Sequence, residues 1–139
     1  MFGMIKNFGR KNRKKILIAE DDPTMRKLME LQLVREGYDV TAVEDGRQAL
    51  LLLQQEKFDL VISDIIMPFV SGLELLNSMR KAKNDIAIIL CSSLKSENAV
   101  SKAFEIGANG FIAKPYKSTE MLVKVHQILN REEQIKGVT

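Results

Sequence analysis

Short apolar runs and helix-period stretches alternate along this chain from residue 16 onward, with few residues spent on loops. Ile16–Ala19 is an apolar run rich in β-branched residues, and Tyr38–Val43, Phe58–Ser63, Ile86–Cys91 and Phe111–Ala113 are four more. Phe58–Ser63 and Ile86–Cys91 are nearly continuous in apolar residues, as strands covered on both faces must be. Ile86–Cys91 is the most hydrophobic and predicts a central strand. The stretches between them carry helix signals. Asp22-Pro23 reads as an N-cap followed by proline at the first helical position, and Met25, Leu28 and Met29 follow at i, i+3, i+4, with Gly37 as the stop. A second helix falls around Gln48–Gln55, with leucines from Leu50 to Leu53. Ser71 begins a third, with Leu75 and Met79 four apart. A fourth holds Val100, Ala103 and Phe104 and ends at Gly107. Met121, Leu122, Val125, Ile128 and Leu129 make one face of a last helix.

Five strands alternating with five helices imply an α/β fold, with strands paired in parallel through right-handed crossovers and helices on both faces of the sheet. The expectation is a three-layer αβα sandwich; periodicity alone leaves the strand order open. At 139 residues the chain is one domain. A single cysteine, Cys91, excludes an internal disulfide framework and fits a reducing cytoplasm. It reads as a small core residue of the fourth strand. No apolar run approaches the ~20 residues of a membrane span, and residues 1–8 lack the apolar stretch of a secretory signal.

The net charge of +3 is unevenly spread. Lys6, Arg10, Lys11, Arg13, Lys14 and Lys15 give residues 1–15 six positive charges and no acid. The rest of the chain then has 15 basic residues (21 − 6) against 18 acidic ones, a body of −3. Residues 1–14 are therefore read as a basic, disordered, solubilising tail, 15–132 as the domain and 133–139 as a C-terminal tail or the start of a linker. A tail of this charge could touch nucleic acid or an anionic membrane, but the acidic body makes no direct nucleic-acid contact expected of the domain itself.

Charged residues follow three of the apolar runs directly: Glu20-Asp21-Asp22, Asp64 and Lys114. Each alone has an ordinary use, since acids before a helix cap it and offset its dipole, an aspartate after a strand makes a turn, and a lysine before proline is a solvated loop charge. Placed together at the carboxyl edge of a parallel sheet, where open α/β sheets bind ligands, they say more. A carboxylate such as Asp64 can attack phosphorus and form an acyl phosphate. An incoming phosphoryl group is itself anionic, so the acids around it need a cation. Oxygen ligands at the mouth of a cleft suit Mg²⁺, Lys114 can neutralise a further phosphoryl oxygen, and the Ser92 hydroxyl can donate to another.

In Ile16–Pro23, Asp64-Ile65-Ile66-Met67-Pro68 with Ser71-Gly72, Ser92-Ser93, and Gly107–Pro115, the chain resembles the receiver domain of two-component response regulators, including single-domain chemotaxis-type regulators. The resemblance covers roughly residues 15–132. It implies a flavodoxin-like (βα)5 sheet of order 2-1-3-4-5. It makes Asp64 the phosphoacceptor for a histidine kinase or phosphotransfer protein. Asp21 becomes the direct Mg²⁺ ligand and Glu20 its water-mediated neighbour, with Asp64 and the Ile66 backbone carbonyl completing the set. Asp22 falls one place after the usual pair and is assigned to capping first. Lys114 would pair with the phosphoryl group, Pro115 would follow a cis peptide, and Ser92 and Phe111 would be the switch positions. Serine there, in place of the commoner threonine, keeps the hydroxyl; phenylalanine, in place of tyrosine, leaves the ring no hydrogen bond.

The implied function is a signalling switch, monomeric or dimerising on phosphorylation. It would bind a downstream protein through the surface of the fourth helix, fifth strand and fifth helix. A receiver module of a longer regulator, with a DNA-binding or enzymatic output domain, is the alternative. A metabolic enzyme is not expected: phosphatases that use an aspartyl phosphate commonly carry a second aspartate two residues on as acid and base, and that position is Ile66. His126, beside the apolar stripe of the last helix, reads as a surface helix residue and not as a phosphotransfer site.

Overall fold

The computed structural model describes residues 13–93 and 97–138, with side chains up to residue 130. Positions 1–12 of the basic segment, and Leu94, lie outside the described residues. The strands are β1 (Lys15–Ala19), β2 (Asp39–Val43), β3 (Leu60–Asp64), β4 (Ala87–Ser92) and β5 (Gly110–Ala113). The helices are α1 (Pro23–Arg35), α2 (Gly46–Gln55), α3 (Gly72–Lys81), α4 (Glu97–Ile106) and α5 (Ser118–Val138). The strands form one parallel sheet of order β2-β1-β3-β4-β5. The α/β sandwich and its strand order are thus as expected. Boundaries differ by a residue or two, since Tyr38, Phe58 and Ile86 precede their strands while Asp64 and Ser92 close theirs. The apolar face read for the last helix ends at Leu129, and α5 runs on to Val138.

Side chains alternate across the sheet with the strand period of two. Ile16, Ile18, Leu60, Ile62 and Ile89 face Met29 and Leu33 of α1 and Met121, Val125 and Leu129 of α5. Leu17, Val61, Ile88 and Leu90 face Ala49 of α2, Leu75, Leu76 and Met79 of α3, and Ala103 of α4. β3 and β4 are buried along their whole length. Each large aliphatic side chain there contributes about 1.5–3 kcal/mol of burial, so the strand ends carrying Asp64 and Ser92 are fixed by the best-packed part of the molecule.

Helix α1 departs from its sequence pattern. Met29 and Leu33 are its buried residues, whereas Leu28 is 47% exposed. Leu31 and Val34 are exposed as well, so the helix has apolar residues on two faces; of the residues read from periodicity, Met25 and Met29 pack on the core and Leu28 does not. The caps are as read: Asp22 accepts from Thr24 N and Met25 N, and Ser71 forms a reciprocal capping box with Glu74.

At Gly72, a Cβ would lie 2.3 Å from the Asp64 carbonyl oxygen. Only glycine lets the start of α3 sit against the end of β3, and the Gly72 amide uses the approach to donate to Ile65 O at 2.8 Å. The backbone carrying Asp64 is thereby tied to the helix that follows it.

Candidate functional site

In register, Ala19 stands beside Val43 and Ser63, Asp64 beside Cys91, and Ser92 beside Ala113. The residues at or just past these positions therefore meet at one edge of the sheet. Glu20, Asp21 and Asp64 each bring a carboxylate oxygen within 4.8 Å of the others. Glu20 is only 2% exposed and Asp64 9%, while Asp21 faces solvent. Asp22 stands apart from this group: its carboxylate caps α1 and its amide donates to Glu20 Oε2 at 3.2 Å.

Lys114 reaches into the cluster from the end of β5. Its Nζ donates to Glu20 Oε1 at 2.8 Å and to Asp64 Oδ2 at 2.9 Å. Partial burial disfavours the ammonium, but the hydrogen bonds to Glu20 and Asp64 outweigh it, and its pKa lies above the ordinary lysine value. Glu20 is shifted upward, first by burial, then by the neighbouring Asp64, with Lys114 pulling the other way. One ammonium thus serves two buried carboxylates, with a third beside them. The donor set is entirely oxygen, anionic and gathered at a cleft mouth, which fits a hard divalent cation such as Mg²⁺.

Ser92 is buried at the end of β4, and its carbonyl accepts from Lys114 N at 2.8 Å. Phe111 is half-buried on β5, in register with Leu90, against the layer formed by α2, α3 and α4. The Lys114–Pro115 peptide is cis. Ile66 lies in the loop after Asp64 with its side chain exposed. Glu20, Asp21, Asp64 and Lys114 are therefore brought together, Ser92 and Phe111 lie on the adjoining strands, and Asp22 is directed elsewhere.

Cys91 is buried within β4, and burial, with Asp64 nearby, pushes its thiol up to about 12. His126 lies on the surface of α5, partly exposed, as read. Its Nδ1 lies 2.7 Å from the Tyr38 hydroxyl and its Nε2 3.4 Å from Glu36 Oε1, tying α5 to the end of α1. Sequence reasoning missed Arg26, whose guanidinium donates to Glu20 O at 2.9 Å and reaches Asp21 O at 3.5 Å. It fastens the acidic loop from the first turn of α1. A basic residue one turn into the helix behind an acidic triplet is the only signal for it. Tyr116, after the cis bond, points its hydroxyl at Met25 Sδ, 3.9 Å away, and burial is the main cause of its raised pKa.

The family model for the response regulator receiver domain matches residues 16–126. Among curated proteins, "Probable transcriptional regulator ycf27" of Cyanophora paradoxa is 33% identical over 88% of this chain and 51% of its own length. The "Alkaline phosphatase synthesis transcriptional regulatory protein PhoP" of Bacillus subtilis is 32% identical over 86% of this chain and 50% of its own. The chain thus spans about half the length of these relatives. Among solved structures, the receiver domain of Francisella response regulator 1452 superposes with a TM-score of 0.83 at 27% identity, over 86% of this chain and 99% of that one. The chemotaxis response regulator CheY4 of Vibrio cholerae gives 0.80 at 28% identity, over 85% and 100%.

Proposed function

We propose, from the premise that this chain belongs to the response regulator receiver domain family, that it accepts a phosphoryl group on Asp64 and switches its binding to a downstream protein. The observation that carries the reading is the joint placement of Asp64, Lys114, Glu20 and Asp21 at one sheet edge. An Asp64 carboxylate oxygen attacks the phosphorus of a phosphohistidine or small acyl phosphate. A P–O bond to Asp64 forms as the P–N or P–O bond to the donor breaks, and the bonding pair leaves with the donor. Glu20, Asp21, Asp64 and the Ile66 carbonyl would hold the divalent cation, which supplies neutralising charge when bound. Lys114 would transfer part of its pairing from Asp64 to a phosphoryl oxygen, and the Ser92 hydroxyl would donate to another.

The product adds about −1.5 to −2 charge at one buried point. Ser92 and Phe111 lie on β4 and β5 between that point and the surface of α4, β5 and α5. There Phe104 and Val123 are exposed, and Phe111, Val123 and Lys124 line a shallow groove. This surface is the reading's candidate for the partner that senses phosphorylation.

Incubation with acetyl phosphate and Mg²⁺ should add about 80 Da to the intact protein and nothing to Asp64→Asn. Absence of the adduct under conditions that label other receivers would end this reading. The half-length match to transcriptional regulators favours a second form of it, in which this receiver is one module of a longer regulator. The reading frame beyond Thr139 decides between the two.

A further inference from the structure

The loop between β3 and α3 contains a backbone outlier. Phe69 has φ +69°, and Val70 N donates across it to Pro68 O at 2.8 Å. A two-residue hydrogen bond spanning a positive φ is a γ-turn of the rare, strained hand, a conformation that a bulky side chain seldom adopts. The Phe69 ring is 68% exposed, so burial does not hold it there.

What touches the ring is Arg47, from the first turn of α2, with its guanidinium carbon 3.5 Å from the ring centroid. Arg47 is itself steadied by Asp45, 3.6 Å away, which caps the same helix. Beside it, Gly46 lets the loop come close: a Cβ there would lie 2.4 Å from Val70 O. The start of α2 therefore cradles Phe69-Val70 by close backbone approach on one side and a cation–π stack on the other.

This contact sits three residues from Ile66. The loop is tied at its ends by Ile65 N to Cys91 O, Gly72 N to Ile65 O, and the Ser71 cap, and by the buried Met67. Between Met67 and Ser71 the strained turn is held by Val70, which packs against the core, and by the stack on Phe69. Pro68, with its fixed φ, passes any relaxation at Phe69 back toward Met67 and Ile66. We propose that Arg47 and Phe69 are positioning residues: their stack clamps the β3–α3 loop in the geometry that presents the Ile66 carbonyl beside Glu20, Asp21 and Asp64. This rests on the reading above that the carbonyl and these acids hold a divalent cation.

The test is Mg²⁺ titration by calorimetry, with Mn²⁺ binding by water-proton relaxation as a second readout, on wild type, Arg47→Ala, Phe69→Ala and the double variant. Thermal unfolding without metal checks that each is folded. Loss of an exposed cation–π contact should weaken divalent binding about three- to five-fold in each single variant, and the double variant should be no weaker than the singles. Arg47→Lys should recover part of the loss. Phe69→Gly accepts the backbone angle without strain and guards against a folding defect; it too should bind more weakly, because the stack is gone. Wild-type affinity in the folded single variants overturns the clamp, as does tighter binding by Phe69→Gly. If Asp21→Asn leaves wild-type Mg²⁺ affinity unchanged, the cation site itself fails, and the clamp with it.

Discussion

Lys114 is a competitor as well as a partner, because its ammonium occupies the two buried carboxylates that a cation would share with Asp21. Replacing it by methionine leaves those acids without their counter-charge, and the metal-free protein should lose about 1–3 kcal/mol by urea denaturation. The same variant should bind Mg²⁺ more tightly than wild type, since no ammonium must be displaced. If Asp64 accepts a phosphoryl group as proposed, its labelling by acetyl phosphate should nevertheless slow, which intact-mass kinetics would show; weaker Mg²⁺ binding would refute the competition. Residues at this scale were legible unevenly. Asp64, Glu20, Asp21 and Lys114 could be read from the chain because each ends an apolar run, and strand ends of a parallel sheet converge. Arg26 could not, since its part is to hold two backbone carbonyls, and carbonyls leave no trace in a sequence. Nor could the contact of His126 with Tyr38, since the two lie 88 positions apart.

Elements carry the next set of consequences. Gly72→Ala places a methyl group 2.3 Å from Asp64 O, with backbone on both sides and no flexible side chain to give way. It should cost about 3 kcal/mol or more, at the severe end of overpacking, and a midpoint in urea close to wild type would contradict the tight approach of α3 to β3. At the start of α2, burial disfavours the Asp45 carboxylate, but the amides of Gln48 and Arg47 outweigh it and hold its pKa below the ordinary value of 3.8. That stabilisation is present above pH 3.8 and is lost as the pH falls through the lower folded value. Asp45→Ala should cost about 1 kcal/mol at pH 7. Asp45→Asn keeps the cap and should flatten the stability–pH curve below about pH 4, where wild type declines. Strand positions and the starts of the capped helices were legible to within about two residues because capping residues and glycine stops mark them, whereas the end of α5 at Val138, with no such stop before it, was not. The buried face of α1 was not, as Leu28, Leu31 and Val34 compete with Met29 and Leu33 for the core and only the sheet decides.

For the whole molecule, charge separates what packing does not. The body from residue 16 onward is acidic, while residues 1–15 carry six positive charges. Retention on heparin at low salt should therefore vanish when residues 1–14 are deleted, and retention that survives would place the cationic surface within the domain. The layered fold was legible from alternation alone. The strand order was not, because five similar apolar runs do not say which neighbours which; only the motif resemblance implied it, and the sheet has it as β2-β1-β3-β4-β5. The two core layers on either side of that sheet share one wall, the strands β1, β3 and β4, so damage to β3 or β4 reaches both.

That shared wall contains the chain's single thiol. Cys91 is 2% exposed in β4, hydrogen-bonded on one flank to β3 and on the other to β5. Burial raises its pKa well above the ordinary cysteine value and so favours the protonated thiol. An aromatic disulfide reagent can label it only when the sheet parts, whereupon the thiol regains the ordinary reactivity of a free cysteine, with a pKa near ~8.5. The chain therefore carries its own clock for opening of the sheet. The rate of colour release in native buffer, at reagent high enough to outrun reclosing, reports how often the centre of the molecule comes apart, with no residue changed to make it visible.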